Sequence, residues 1–441
     1  MMLGSRSRAF VAFTAVAASA AMLAGCAAGD SNPDGSPDSG EKQTVTWWAW
    51  NVFDSEKVID AFEDANPNIT VDFKAYAYND YVTALRTGLT SADGPDVFQV
   101  QPGELVTNFG PLALPLDDHL AELGDAAEVN SEGLTQLQLD GVQVGMPSYM
   151  SGAGLVYYNA TILDELGVEV PADFEEWKAA CATIQDAGYD CLAHGAKDAW
   201  VNTDVYLSLI NSVAPGAVYD AIVGDASWTD PEFVTAMEAW SELFTSGIIP
   251  AGATAMAEYP DAFGAFLEKK AAFIALGTWN TPGTMTTAGI AQSQQTVSTA
   301  IDSVYLSAPF PSPVAGDAPS GLFGGPDNGW AVSAKSDASD AALTLLDFLS
   351  VGEGQQLQAD AGIFPAVLGV PVSTEDVVDE SQVADVERQQ ADLENLIGAR
   401  QIPYGDLATA LGEALSAVAA GTATPADALA QVEAVSSSLT R

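Results

Sequence analysis

The sequence predicts an α/β fold of two domains. From Thr44 onward, short β-branched and aromatic runs alternate with segments of helical periodicity. The chain's 441 residues are too many for one ordinary core. It carries no repeat of solenoid length and no second apolar span after the N-terminal one, which leaves a mixed globular architecture.

The elements follow in order. TVTWWAW, from Thr44, reads as a strand, and Asp54 or Ser55 can cap a helix whose apolar positions Val58, Ile59, Phe62 and Ala65 recur at helical spacing. Pro67-Asn68 breaks that helix and ITVDFKA alternates as a second strand, so the unit is β-α-β and a parallel sheet is expected. NDYVTALRTGLTS repeats the logic, leading through Asp93-Gly94-Pro95 into the strand DVFQV and a loop, QPGE, that opens another helix. A glycine-rich bend at Ser151 to Gly154 separates two short strands, and a helix begins near Ala160. Phe174, Trp177, Cys181 and Ile184 define one amphipathic helix, and Phe233, Met237, Trp240 and Phe244 another, which assigns Trp177 and Trp240 to cores. AAFIAL and YLSAPF are strands, PSPVAGDAPSGLFGGPDNG reads as loop, WAVSA as a strand and ASDAALTLLDFLS as a helix. Thr424-Pro425-Ala426-Asp427 places a cap, a first-turn proline and a first-turn acid at the start of the last helix.

The N-terminus reads as an export signal over residues 1–25, with basic Arg6 and Arg8 before an apolar run from Ala9 to Ala24. It ends in Leu23-Ala24-Gly25-Cys26, which resembles the bacterial lipobox, in which the cysteine becomes the lipidated first residue of the mature chain. The competing reading is an ordinary cleaved signal beside a chance cysteine. Residues 26–43 are rich in Gly, Ser, Pro and Asp, as a flexible tether should be. With Cys26 lipidated, Cys181 and Cys191 remain for a short-loop disulfide in an oxidising compartment. His119 and His194 are isolated and the cysteines lack zinc spacing, so they read as loop or core residues and no metal is expected. Against 60 acidic residues stand 14 basic ones, a net charge of −46. Such a surface repels nucleic acids and anionic solutes at long range.

Candidate site residues come from strand ends, because ligands in open α/β sheets bind beyond the carboxyl ends of the strands. Side chains alternate along a strand, so Trp47 shares a face with Val45 and reads as core, while Trp48 and Trp50 share the other. Trp48, Trp50 and Asn51 close the first strand, Gln101 and Glu104 follow DVFQV, and Trp279 and Asn280 follow AAFIAL. Indoles beside neutral amides suit a sugar, whose C–H face stacks on an aromatic ring while its hydroxyls take hydrogen bonds. An amine would also suit tryptophans and acids.

The order of lipobox, tether, VTWWAW, VIDAFEDANPNITVDF, YVTALRTGLTSADGPDVFQV, GMPSYMSGAGLVYYNATILDELGV, KKAAFIALGTWN, GGPDNGWAVSAKSD and TPADALAQVE resembles the family-1 carbohydrate solute-binding lipoproteins of ATP-binding-cassette importers, the group that includes maltose-binding protein. The resemblance implies a two-lobed periplasmic-binding-protein-like fold, each lobe a mostly parallel sheet flanked by helices, with the ligand cleft between lobes. It places one lobe at residues 44–150 plus about 308–350 and the other at 151–307 plus about 351–441. It supports Trp48, Trp50, Asn51, Gln101, Glu104 and Trp279 as site residues and adds Tyr149 and Ser151. Trp330 either touches ligand or packs as a strand residue under a hinge, and Tyr81 reads as helix packing. Relatives often carry an arginine after the proline of GIFPAV, where this chain has Ala366 and Val367, so that contact is in doubt. The implied partners are a neutral carbohydrate, the membrane subunits of a permease and, through lipidated Cys26, the outer face of the cell membrane; the chain is expected to be a monomer without a cofactor. An extracellular glycosidase with paired carboxylates is the enzymatic alternative. A receptor of the same fold for a polyamine or another non-sugar solute is the other. No G-x-S-x-G, Walker or H-E-x-x-H motif supports other chemistry.

Overall fold

The computed structural model describes residues 42–50, 52–91, 93–124 and 128–441. The expected export signal, Cys26, the expected tether up to residue 41 and Asn51 lie outside the described residues.

Eleven strands are named in chain order: β1 (Gln43–Ala49), β2 (Ile69–Ala75), β3 (Val97–Val100), β4 (Gln138–Leu139), β5 (Val142–Gln143), β6 (Met146–Ala153), β7 (Leu155–Asn159), β8 (Asp190–Ala193), β9 (Ala271–Leu276), β10 (Tyr305–Pro309) and β11 (Phe323–Val332). They form a five-stranded sheet, β2-β1-β3-β11-β6, a four-stranded sheet, β10-β7-β9-β8, and the hairpin β4-β5. The expected β-α-β unit forms, with β1 pairing parallel with both β2 and β3. The sheets are nonetheless mixed rather than mostly parallel, because β11 runs antiparallel to β3 and β6, and β7 runs antiparallel to β9 and β10.

Helices cover both faces of the first sheet. On one face Val45, Trp47, Phe62 and Leu345 pack together with Trp330; on the other Trp48, Tyr81, Leu85 and Phe98 do so. Both faces are therefore apolar, as expected for a sheet with crossover helices on each side. Under the second sheet, helices Phe174–Asp186 and Pro231–Thr245 bury Trp177 and Trp240 as their spacing predicts. The Cys181–Cys191 disulfide is formed and ties the first of these helices to β8.

Local chemistry accounts for most element ends. The Thr424 side chain accepts the Asp427 N–H at the start of helix Pro425–Ser436. Asp54 does stand at the cap position of helix Ser55–Ala65, but in the left-handed region, and its side chain makes no capping bond. The larger surprise is the loop-like GLFGGPDNG, most of which is strand. From Phe323, β11 pairs with β6, and a Cβ on Gly324 would collide with the Ser151 carbonyl. These glycines permit close backbone approach rather than a turn. β6 likewise runs through Ser151 and Gly152 to Ala153, and the chain turns into β7 at Gly154, whose φ of 105° favours glycine.

The chain thus passes from the first sheet to the second at Gly154 and returns between Pro309 and Phe323. Helix Glu353–Asp360 still packs on β6 and on helix Ser55–Ala65. Val367 bridges to Val129, whereas Val377 bridges to Thr286 beyond the second sheet.

Candidate functional site

Between the two sheets, side chains from sequence-distant segments gather on three hubs: Asp327, Tyr259 and Arg400. Asp327 sits where the β6–β11 register shifts between Pro326 and Asn328. Such bulges re-aim a side chain out of the sheet. Its carboxylate accepts the Tyr149 hydroxyl at 2.8 Å and the Ser151 hydroxyl at 3.3 Å, and its carbonyl accepts the Gln101 side-chain amide at 3.1 Å. Three of the residues expected from sequence therefore meet on one acid.

Tyr259 collects two more. The Trp279 indole N–H donates to its hydroxyl at 3.3 Å, and that hydroxyl donates to Asn280 Oδ1 at 2.9 Å. Trp279 reaches this position because Gly277 precedes it: a Cβ on Gly277 would strike both the indole and the Gly152 carbonyl. Trp200, at the start of helix Ala199–Val213, lies parallel to Tyr259 with ring centroids 6.1 Å apart and edge-on to Trp279 at 6.4 Å. Trp200 and Tyr259 are 36% and 43% exposed, so this aromatic group presents surface to solvent.

Arg400 joins the hubs. Its guanidinium forks onto Asp204 with Nε and Nη2 at 2.9 Å from the two carboxylate oxygens, lies 3.5 Å from Asp327, and stands 4.1 Å above the Trp279 ring. Burial pushes the Asp204 carboxyl upward while the guanidinium pulls it back. Burial also works against the Arg400 charge, but Asp204 and Asp327 hold it firmly protonated. Burial, reinforced by Asp327, drives the Tyr149 hydroxyl well above the usual tyrosine range, so it remains a donor.

Two chambers adjoin this cluster. One, of about 270 Å³, is lined by Gln101, Glu104, Trp200, Asp204 and Arg400. The other, of about 210 Å³, is walled by Tyr149, Trp279, Asn280, Phe263, Pro282 and Phe364. Among the described residues Asn280 Nδ2 is buried without a protein partner, a donor in the wall of the second chamber. Glu104 is exposed and accepts the Asn108 amide at 3.3 Å.

One expectation is corrected. Trp48 is 7% exposed and packs against Tyr76 at 5.2 Å beneath the Lys74 ammonium, because the face opposite Trp47 is also covered by a helix. Of the two readings open for Trp330, the packing is observed: it is 2% exposed and stands edge-on to Trp47 at 5.2 Å, and it also lines the smaller chamber. Trp50 is half-buried beyond the end of β1, its ring 4.9 Å from Tyr81 and its backbone N–H donating to the Gln99 side-chain oxygen. Tyr81 is buried as expected, its hydroxyl donating to the Gln99 carbonyl at 2.6 Å. At Ala366, the backbone N–H donates to the Gln355 side-chain oxygen and the side chain is buried.

Trp200, Asp204, Tyr259, Asp327 and Arg400 were not singled out from the sequence. Trp200 could have been: it follows β8, so the strand-end rule that found Trp279 applies to it. Arg400 is one of 14 basic residues in a strongly acidic chain, a rarity that is itself a signal. Asp327 and Asp204 are hidden among 60 acids.

Two mixed sheets with helices on their faces match the fold of periplasmic-binding-protein structures. Residues 54–356, more than half of the chain, match the bacterial extracellular solute-binding proteins, and the chain belongs to that family, whose members are receptors rather than enzymes. A binding protein of Brucella abortus is 28% identical over 153 residues, 34% of this chain; the match spans 37% of that curated relative's length. Among solved structures, a protein from the xylan-utilisation system of Caldanaerobius polysaccharolyticus aligns with a TM-score of 0.74 at 22% identity, covering 89% of this chain and 99% of that one. The GacH receptor of Streptomyces glaucescens, known unliganded and with acarbose, aligns with a TM-score of 0.67 at 20% identity, covering 89% and 97%. At these identities the likeness is one of fold.

Proposed function

We propose that the protein is the substrate-binding component of an ATP-binding-cassette importer and captures a neutral sugar or short oligosaccharide between two closing lobes. The observation that carries this reading is the convergence of Trp200, Tyr259 and Trp279 with the hydroxyl and amide groups of Tyr149, Ser151, Gln101 and Asn280. Aromatic faces take the C–H surface of a sugar, and the amides and acids take its hydroxyl rim. The carbohydrate associations of the xylan-system protein and of GacH support the same ligand class.

The lobes would be built on the two sheets and hinge where the chain passes between them, at Gly154 and over 310–322. A ligand touching both lobes shifts the population toward closure, and the closed form is what a permease would recognise. Leu23-Ala24-Gly25-Cys26 supports anchorage of the chain to the outer face of the membrane through a lipid on Cys26. Micromolar affinity amounts to about −8 kcal/mol, within reach of stacked rings and a hydroxyl network after ordering costs.

A thermal-shift screen over mono-, di- and oligosaccharides, polyols and polyamines, followed by calorimetry, tests the reading. Stoichiometric binding of a carbohydrate without products is expected. Turnover of the sugar, or binding of polyamines in preference to every carbohydrate, would overturn it.

A further inference from the structure

One face of the Trp279 indole is already covered. The Arg400 guanidinium stands 4.1 Å above it and 5.6 Å from the centre of Trp200. A guanidinium is planar, delocalised and weakly hydrated, and stacks on aromatic rings much as a flat ligand would. It is not a loose side chain: the fork onto Asp204 fixes its plane, and Asp327, itself held by Tyr149 and Ser151, fixes it from the side of β11. Arg400 lines the chamber of about 270 Å³ and Trp279 that of about 210 Å³, so the stack sets a wall residue of one against a wall residue of the other. Each chamber falls below the roughly 300 Å³ at which pockets for drug-sized ligands begin.

We propose that Arg400 is a specificity-determining residue: pinned by Asp204 and Asp327, its guanidinium occupies the face of Trp279 on which a further sugar ring would stack, and so restricts the protein to short neutral carbohydrates. The inference rests on the proposed carbohydrate function and adds to it a limit on ligand length and the residue that sets it. A lysine at 400 would keep the charge but neither the fork nor the flat cover over the indole.

Calorimetry of the purified protein with a homologous series of neutral linear oligosaccharides, from one ring to five, tests it. Removing Arg400 alone would strand Asp204, so the main variant combines Arg400→Gln with Asp204→Asn, replacing the ion pair by a neutral hydrogen-bonding pair; Arg400→Lys is the second. The wild type is expected to bind the shortest members best. In the double variant the ratio of affinities, longest over shortest member, should rise at least tenfold, with Arg400→Lys in between. A uniform loss across all lengths, leaving that ratio unchanged, would make Arg400 an ordinary support and overturn the proposal. A wild type that holds four- or five-ring chains as tightly as two-ring ones would overturn it without any variant, so the test survives a double variant that fails to fold. Failure of every carbohydrate to bind wild type and variants alike would instead bring down the proposed function and this inference with it.

Discussion

Trp240 lies on the buried stripe of a helix and Trp279 just past the end of a strand, and their surroundings assign them opposite roles. Trp240 is fully buried, and its indole N–H donates to the Leu415 carbonyl at 2.9 Å, joining helices Pro231–Thr245 and Gly405–Ala419. Trp279 is partly exposed and borders a chamber. Trp240→Ala should cost about 3–5 kcal/mol of stability, the usual range for a large aromatic, and leave the affinity of the surviving folded protein close to wild type. Trp279→Ala should weaken carbohydrate binding at least tenfold with a smaller change in melting temperature. Thermal denaturation and calorimetry on both variants check the pair, and equal binding losses at unchanged melting temperature would refute the division. Glu258, adjacent to Tyr259, supplies a pH test. Burial, opposed by the Gly195 N–H, lifts its carboxyl from 4.5 to about 8. The folded chain therefore keeps a proton that the unfolded chain releases near 4.5. The associated stability is complete below that pH and declines as pH rises to about 8, by about 1.4 kcal/mol per unit. Glu258→Gln should flatten the fall in melting temperature between pH 5 and 8. His194 works in the other direction: burial lowers it to about 4, so its contribution is lost as pH falls from 6.5 toward 4.

Among elements, the clearest contrast is between those that local chemistry specifies and those that exist only through their partners. Helix Pro425–Ser436 carries its own cap, proline and first-turn acid, and the two amphipathic helices carry their buried stripes. The register of β11 carries no such mark. FGGPDNG has turn composition, and it is strand because β6 lies alongside with its backbone where any Cβ on Gly324 would have to be. The bulge in that pairing is what turns Asp327 toward Tyr149 and Ser151. The disulfide belongs to this scale too. It closes a loop with a sequence separation of 10, for which chain entropy predicts somewhat under about 3 kcal/mol. A Cys181→Ser/Cys191→Ser variant should melt at a lower temperature while binding the same ligand with unchanged stoichiometry, because the bridge joins a helix to β8 rather than to the cleft.

At the scale of the whole molecule, charge and ligand class become separable. The net charge of −46 is spread over 60 acids, and a neutral ligand does not respond to that field. Affinity for the cognate carbohydrate should change by less than about twofold between 10 mM and 500 mM salt, across which the screening length falls several-fold. A cationic ligand would weaken steeply over the same range, so titrations at the two salt concentrations distinguish a sugar receptor from a polyamine receptor. Closure is a property at this scale as well: X-ray scattering should report a smaller radius of gyration on saturation with ligand, and an unchanged radius would refute lobe movement.

Beside Tyr149 and Ser151, which the family resemblance supplied, the sequence by itself determined the alternation of strands and helices, the parallel pairing around β1, the buried stripes of the long helices and three of the residues that meet at the candidate site: Gln101, Trp279 and Asn280. These are legible because periodicity, capping and strand-end position are local properties, carried within a few residues of each other. What only the tertiary structure decided is which aromatics stay exposed and which polar groups meet. Trp48 alternates correctly with Trp47 and is still buried, because a helix 30 residues further along the chain covers its face. Arg400, Asp204 and Asp327 come from three distant segments, and no local pattern distinguishes a carboxylate that holds a guanidinium over an indole from the many that face water. The site is made by pairings between distant parts of the chain, and those pairings follow from packing the sheets and helices together.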